Sequence, residues 1–246
     1  MHRLLVPTEV LRCSEASLPP EACHHLKVVR PRAGETVVLF DGCGKVREYC
    51  VADPSPRAPR LTAAGPVKDY PAPARSVTLF ACVTKGSRWD WTIEKAVELG
   101  ATRIVPVLSE RCVVRLTPAE RPAKAERWRR IAADAARQSA AVWLPEVAEP
   151  VDFQTACAHV QTSGVVLVGA LTNPPPPPIG AELERVRTES PEGLGLFVGP
   201  EGDFTPDELN ALLALARPVS FGPTVLRAET AAIFGLSVLT AAVQSW

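Results

Sequence analysis

The sequence predicts an α/β protein, a small β-rich module followed by a larger domain built on a parallel sheet. Three observations carry this. From residue 76 onward, apolar runs that suit buried strands alternate with helical patterns. Two of those runs break at Gly-Pro turns that lead straight into helix starts, in LGLFVGPEGDFTPDEL and FGPTVLRAET. Residues 1–70 instead carry short alternating runs separated by turn residues. Strand, glycine-rich turn and helix in succession is how an open α/β sheet builds a ligand pocket at its strand ends.

Composition bounds the possibilities. The 246 residues are 46% hydrophobic and 22% charged, so a packed globular protein of one large or two smaller domains is expected. Formal net charge is zero, but residues 1–70 carry 10 Lys+Arg against 8 Asp+Glu (+2), residues 71–137 carry 13 against 7 (+6), and residues 138–246 carry 4 against 12 (−8). The basic middle fits either a phosphate-bearing partner or an ordinary solvated surface. The seven cysteines are scattered without a C-x-x-C pair, which points to free thiols in a reducing compartment and to no metal site. The start, MHRLLVPTEVLR, is too short and too soon polar for a signal peptide, and no apolar run approaches the ~20 residues of a membrane span. A cytoplasmic protein without a membrane partner is expected.

In the first module, residues 2–6, 36–40, 45–52 and 60–64 read as strands, 21–30 as a short helix, Asp41-Gly42 as a hairpin and DPSPRAP as a loop, together suggesting a small barrel. His24-His25 point apart and have no evident carboxylate partner, so they fit a helix end beside the basic Lys27 and Arg30. KDYPAPAR reads as a linker. The α/β pattern then runs strand 76–83, helix 89–99 closed by Gly100, and strand 103–108. Glu110-Arg111, at that strand's end, fits a ligand contact or a structural ion pair. Residues 119–142 form a long amphipathic helix, with Trp128, Ile131, Ala132 and Ala135 inward. Lys124, Arg127, Arg129, Arg130 and Arg137 lie on the other side, as a solvated face or a phosphate contact. A weak helix at 153–160, a strand at 165–171, a stiff run of five prolines and a short helical turn at 183–187 precede the strand at Leu194. Thr205, Pro206 and Glu208 form a helix-entry signature. The last helix, 228–245, is apolar on most sides and so is buried in the protein or in a subunit interface.

The turns limit the chemistry. GPEG lacks the lysine of a phosphate loop, and its acidic character repels phosphate. Gly193-x-Gly195 precedes the expected strand rather than following it, so it is no dinucleotide fingerprint. An uncharged adenosine on backbone groups, with a cationic group near Glu201 or Glu229, is compatible, and S-adenosylmethionine offers both. Arg227 and Glu229 flank a helix start and fit either a structural Arg–Glu pair or polarisation of a substrate base.

At these residues the chain resembles a known family. FVGPEGDFTPDEL and FGPTVLRAETA are similar to the two signature segments of the RsmE family, small-subunit rRNA uridine-N3 methyltransferases of the SPOUT class. HHLKVVRPRAGE, LFDG and KGSRWDWTIEKAVELGATRIVPVLSERCVVRL extend the likeness over nearly the whole chain. The resemblance implies a PUA-like RNA-binding barrel over residues 1–70 and a SPOUT methyltransferase domain with a C-terminal trefoil knot over residues 74–246. It implies S-adenosyl-L-methionine as cofactor, cradled by three loops. These supply Val168, Gly169 and Leu171; then Val198, Gly199, Pro200, Glu201 and Gly202; then Phe221, Gly222, Val225, Leu226, Thr230 and Ala231. Arg227 and Glu229 become the catalytic candidates, Arg227 favouring the anion that develops at uracil N3, with Glu229 and Thr230 organising it. His25, Lys27, Arg30, Lys85 and Arg111 become the RNA contacts. The partners implied are 16S rRNA in assembled small subunits and a second copy of the chain. Departures stand out. Arg137-Gln138-Ser139-Ala140-Ala141 replaces E-Q-[SC]-G-R, Thr224 replaces the first arginine of L-G-x-R-[IV]-L-R, and Asp203 replaces the second glycine of GPEGG. The proline run replaces the aromatic or basic surroundings of the loop near Leu171. The alternatives are a paralogue that binds RNA or cofactor without this activity, and a methyltransferase of another RNA.

Overall fold

The computed structural model of the chain describes residues 2–55, 59–189 and 191–244. Part of the DPSPRAP loop (56–58) and the expected end of the last helix at residue 245 lie outside the described residues. Two compact units are present, one of Met1–Ala72 with Ala133–Leu144, the other of Pro73–Ala132 with Pro145–Trp246.

In the first unit, strands β1 (His2–Leu5), β2 (Glu15–Ala16), β3 (Thr36–Phe40), β4 (Lys45–Asp53), β5 (Arg60–Ala63) and β6 (Lys68–Asp69) form a six-stranded sheet. Its order is β1-β3-β4-β5-β2, with β6 beside β4. Helices α1 (Thr8–Arg12) and α2 (Pro20–Val29) join Leu4, Leu39, Tyr49 and Leu61 in the core through Leu11 and Leu26. The fully buried Tyr49 keeps its hydroxyl satisfied 2.9 Å from the carbonyl oxygens of Val10 and Cys13, donating to one at a time. The Asp41-Gly42 turn forms because the Asp41 carboxylate accepts from the backbone N–H of Cys43 and of Lys45 at 2.8 and 3.0 Å.

The boundary differs from the sequence expectation at residues 133–144. The long helix, α4 (Arg121–Ser139), stops earlier than expected, and Ala140 turns the chain with a φ of 62°. The segment beyond it joins the first unit: Gly44 N–H donates to the Val142 carbonyl at 3.0 Å, Leu144 N–H to Gly42 at 2.8 Å, and the Arg3 guanidinium to Ala141 at 3.1 Å. A left-handed alanine is strained by its Cβ, whereas glycine is not. Ala140→Gly is therefore expected to stabilise the protein by about 0.5–1 kcal/mol, a rise of roughly 1–4 °C in Tm by calorimetry.

In the second unit, β7 (Ser76–Cys82), β8 (Arg103–Leu108), β9 (Glu146–Val147), β10 (Val151–Asp152), β11 (Val165–Gly169), β12 (Gly193–Val198) and β13 (Arg217–Val219) form a sheet whose pairings are all parallel. The order is β10-β8-β7-β12-β11-β13, with β9 beside β8. Helices α3 (Ser87–Glu98), α5 (Phe153–Val160), α6 (Ile179–Glu189), α7 (Pro206–Leu213) and α8 (Ala228–Gln244) join α4 around it. β12 is buried at every residue, as expected of a central parallel strand covered on both faces. Phe197 sits at the centre of the core, stacked on Phe80 at 5.5 Å and edge-on to Phe204 at 5.6 Å.

Two sequence expectations need correction here. Gly193 and Gly195 lie inside β12 rather than before it. The turn expected at 183–187 is the middle of the eleven-residue α6. Its buried stripe is Ile179, Glu182, Leu183 and Val186, and a buried glutamate in that stripe masked the periodicity. Glu182 is tolerated there because Arg185 and Arg217 approach its carboxylate at 3.2 and 3.3 Å.

Candidate functional site

Three neighbouring parallel strands, β12, β11 and β13, end side by side, and a cavity of about 310 Å³ opens at their C-terminal ends. This is where open α/β sheets place ligands, and the volume falls within the range of small-molecule sites. Each strand contributes one wall.

The end of β11 and the residues beyond it supply Gly169, Ala170 and Leu171. Ala170 N–H bonds to the Val219 carbonyl at 3.2 Å, tying this wall to β13. Val198 ends β12 and the acidic turn follows, with Gly199, Pro200, Glu201 and Asp203 also on the cavity. The turn is held from several directions. Asp203 N–H donates to the Pro200 carbonyl at 3.0 Å, and the Asp203 carboxylate accepts from Phe204 N–H at 2.7 Å. Arg111 donates to the carbonyls of Gly202 and Phe204 at 3.1 and 3.2 Å. Thr205 and Glu208 form the expected capping box at the start of α7. The other oxygen of Glu208 accepts from Glu110 N–H at 2.8 Å, which fastens the turn to the loop after β8. Asp203 has a φ of 59°, which explains why glycine suits this position and why aspartate, with its local hydrogen bond, also serves.

The third wall follows β13. Ser220, Phe221, Gly222, Val225, Leu226 and Arg227 face the cavity. The end of the proline run braces this wall. The Pro177 carbonyl accepts from Ser220 N–H at 2.9 Å, and Ile179 N–H donates to the Ser220 carbonyl at 3.0 Å. Phe221 is wedged in place. A Cβ on Gly169 would lie 2.4 Å from its ring and one on Gly235 of α8 3.2 Å from it, while Phe234 meets it edge-on at 5.8 Å. Leu171 and Val225, 60% and 75% exposed, are apolar surface that a bound ligand would cover.

The expected site residues are sorted unevenly. Gly169, Leu171, Val198, Gly199, Pro200, Glu201, Phe221, Gly222, Val225, Leu226, Ala231 and the catalytic candidate Arg227 surround this one cavity. Val168 instead points into the core and is fully buried. Gly202 backs onto Arg111, 3.3 Å from its side chain if given a Cβ. Glu229 and Thr230 face a separate, shallower cavity with Arg88, Asp90 and Trp91. Neither the structural Arg227–Glu229 pair nor an organising contact from Glu229 or Thr230 to Arg227 is present among the described residues. Glu229 is buried with Oε2 unpartnered, and the exposed Arg227 guanidinium makes no ion pair among the described residues. Residues two apart at a helix start point to opposite sides, which is why the two separate. Sequence reasoning missed Asp203, Val219 and Ser220 as wall residues. Their only signal was adjacency to the glycine turns.

The RNA candidates divide as well. Arg111 is spent on loop carbonyls rather than free, and Glu110-Arg111 is not an ion pair with itself. Lys85 is exposed just before α3. In the first unit, Lys27 and Arg30 are exposed at the end of α2. Burial, then the neighbouring Arg137, His2 and His24, hold His25 below the usual imidazole range, so it is neutral at pH 7. Much of the basic side of α4 is tied down: Arg127 is bidentate to Asp90, Arg129 donates to the Val147 carbonyl at 3.1 Å, and Arg137 pairs with Asp134. All seven cysteines are free. Among the described residues no cluster suits a metal ion, and no helix is long and apolar enough to cross a membrane.

A cavity at the ends of three parallel strands, with an arginine at its edge, is the layout of an α/β ligand site. The model of the RNA methyltransferase domain matches residues 71–240, which fixes the class. Ribosomal RNA small subunit methyltransferase E of Synechocystis sp. is 33% identical over 99% of this chain and 78% of its own length. That of Mycobacterium bovis is 32% identical over 92% of this chain and 86% of its own. Among solved structures, ribosomal RNA small subunit methyltransferase E from Neisseria gonorrhoeae bound to S-adenosyl methionine aligns with a TM-score of 0.83 at 26% identity, over 98% of this chain and 97% of that one. A putative methyltransferase from Legionella pneumophila in complex with the same cofactor gives 0.82 at 28% identity, over 98% of each chain. The chain belongs to the ribosomal RNA small subunit methyltransferase E family, the RsmE family.

Proposed function

We propose that this protein uses S-adenosyl-L-methionine to methylate N3 of a uridine in small-subunit (16S) rRNA. The observation that carries it is the cavity built by the two signature segments and the end of β11, with Arg227, in no ion pair among the described residues, on its wall. The walls suit this cofactor. Gly199 brings backbone to the cavity for an adenine edge, while the Gly222 N–H donates to the Ser220 hydroxyl at 3.2 Å; Leu171 and Val225 offer apolar cover, and the Glu201 carboxylate suits a cationic ligand. Glu201 is held 3.1 Å from Arg88, an exposed pair weak enough to yield to a ligand cation.

When bound, the cofactor supplies an electrophilic methyl group on a sulfonium. The chain's own work is to orient and to stabilise charge. The fastened turn after β12 and the wedged Phe221 fix the walls in advance, so binding orders little. As the N3 proton leaves to solvent, negative charge builds on the uracil ring, and Arg227, with no carboxylate partner among the described residues, stabilises it. Arg111 supports catalysis indirectly. Arg111→Ala frees two loop carbonyls and is expected to weaken cofactor binding about threefold to tenfold by calorimetry.

The domain assignment of the resemblance belongs to the same proposal: a PUA-like barrel in the first unit for RNA, and a trefoil knot in the second. So does a homodimer in the cytoplasm acting on assembled subunits. Phe234 of α8 and Trp91 of α3, 40% and 43% exposed on two helices that pack together, supply apolar surface for the second copy. The test of the function is methyl transfer in vitro to small subunits lacking the modification. Cofactor-dependent transfer to a single uridine supports it, and transfer to no ribosomal substrate would refute it.

A further inference from the structure

A second cavity in the same unit, of about 270 Å³, lies between the start of α3 and the side of α4, lined by Thr84, Gly86, Trp89, Lys124, Arg127 and Trp128. It shares no lining residue with the cavity at the strand ends. Two buried polar groups on its wall have no partner among the described residues. Thr84 is 3% exposed with Oγ1 unsatisfied, and Trp89 is 2% exposed with its indole N–H unsatisfied. Buried donors are rarely left unpaired without a reason. Trp128 meets the Trp89 ring edge-on at 5.5 Å and fixes the direction of that N–H.

The rest of the rim offers donors and positive charge. α3 runs twelve residues from Ser87, and Gly86 at its N-cap supplies no side-chain cap; the Trp89 N–H donates to the Gly86 carbonyl at 3.2 Å, and the positive end of the helix dipole lies at the cavity, which Gly86 and Trp89 line. Lys124 is exposed and in no ion pair among the described residues, although its charge is felt by Glu120 one turn away. Asp90 is on the rim, but Arg127 grips both its oxygens, at 2.8 and 2.5 Å, so that pair adds no net charge. What remains is a hydroxyl, an indole N–H, the positive end of a helix and one ammonium. A compact anion with several acceptor oxygens satisfies them all.

We propose that this cavity is a phosphate subsite that takes a backbone phosphate of the RNA substrate and sets the strand's register. The RNA source rests on the function proposed above; the phosphate chemistry does not. Phosphate contacts position a nucleic acid while base contacts specify it, and the exposed Lys85 beside Thr84 extends the same track.

The full chain, labelled with nitrogen-15, would be titrated with inorganic phosphate at constant ionic strength against chloride. The Trp89 indole N–H cross-peak is the readout. A saturable shift is expected, at least fivefold weaker in Lys124→Ala and in Thr84→Val, with melting temperatures reporting that both variants fold. No saturable shift, or an identical shift in both variants, overturns the subsite. In a second arm, affinity for a small-subunit rRNA fragment is measured against salt. Lys124→Ala should make the log–log slope shallower by about 0.7, the loss of one phosphate contact. An unchanged slope beside an intact phosphate shift overturns the RNA assignment. Methyl transfer by the wild-type protein, run in parallel, separates the two ideas. Normal transfer without a phosphate shift counts against this subsite alone, and a phosphate shift without transfer counts against the proposed function alone.

Discussion

Arg227→Ala is expected to lower the turnover number about 10²–10³-fold, the usual cost of removing one preorganised donor from a developing anion, while cofactor affinity stays within about threefold. The expectation follows from placement. Arg227 stands on the cavity wall just before α8, exposed and without a carboxylate partner among the described residues. An arginine held in a salt bridge would contribute less, because part of its field would already be neutralised. Arg227→Lys should recover part of the rate, since a point charge replaces the charge but not the planar fork. Single-turnover rates at saturating cofactor, with binding read by calorimetry, separate the steps. Full turnover in Arg227→Ala would remove this residue from the chemistry. A matched loss of cofactor affinity and rate would make it a binding residue only.

The second large effect concerns the shape of the cavity. Gly169→Ala should weaken cofactor binding more than tenfold and cost about 1–3 kcal/mol of stability through overpacking. The new methyl would lie 2.4 Å from the Phe221 ring. That ring has little freedom, with Phe234 edge-on to it and Gly235 behind it. The open direction is the cavity itself, so the ring shifts into the volume the ligand needs. Pairing calorimetric cofactor binding with thermal unfolding checks this. A variant that unfolds earlier but binds normally would mean that Phe221 retreats elsewhere. Gly180→Ala is a matched control, because no atom lies within 4 Å of the added group.

The second unit was legible in the sequence because its signals are local and agree with one another. Leu194 to Val198 reads as a buried strand, and β12 is buried throughout. Thr205, Pro206 and Glu208 read as a helix entry, and both reciprocal bonds of the capping box are present. Where a signal depends on partners far along the chain, it failed. The helix α6 was read only as a short turn at 183–187, because a partner of its buried Glu182, Arg217, lies thirty-five positions away. Residues 133–144 gave no sign of joining the first unit, since Gly42 and Gly44 meet them only after folding. The strand-end position of Arg111 fitted a ligand contact and the resemblance made it an RNA contact, yet the carbonyls it serves lie more than ninety residues on. Glu229 was grouped with Arg227 by proximity in sequence, and helical geometry then sent the two to different cavities. The second cavity was invisible for the same reason: its wall joins Thr84 and Trp89 to Lys124 and Trp128 across the fold.

The most direct test is mass spectrometry of small-subunit rRNA from a strain lacking this protein. Nuclease fragments of 16S rRNA would be compared with those from the same strain carrying the wild-type chain or Arg227→Ala. One N3-methyluridine is expected to disappear on deletion, to return in full with the wild-type chain and to return weakly or not at all with the variant. An N3-methyluridine signal that is unchanged by deletion would contradict the assigned reaction.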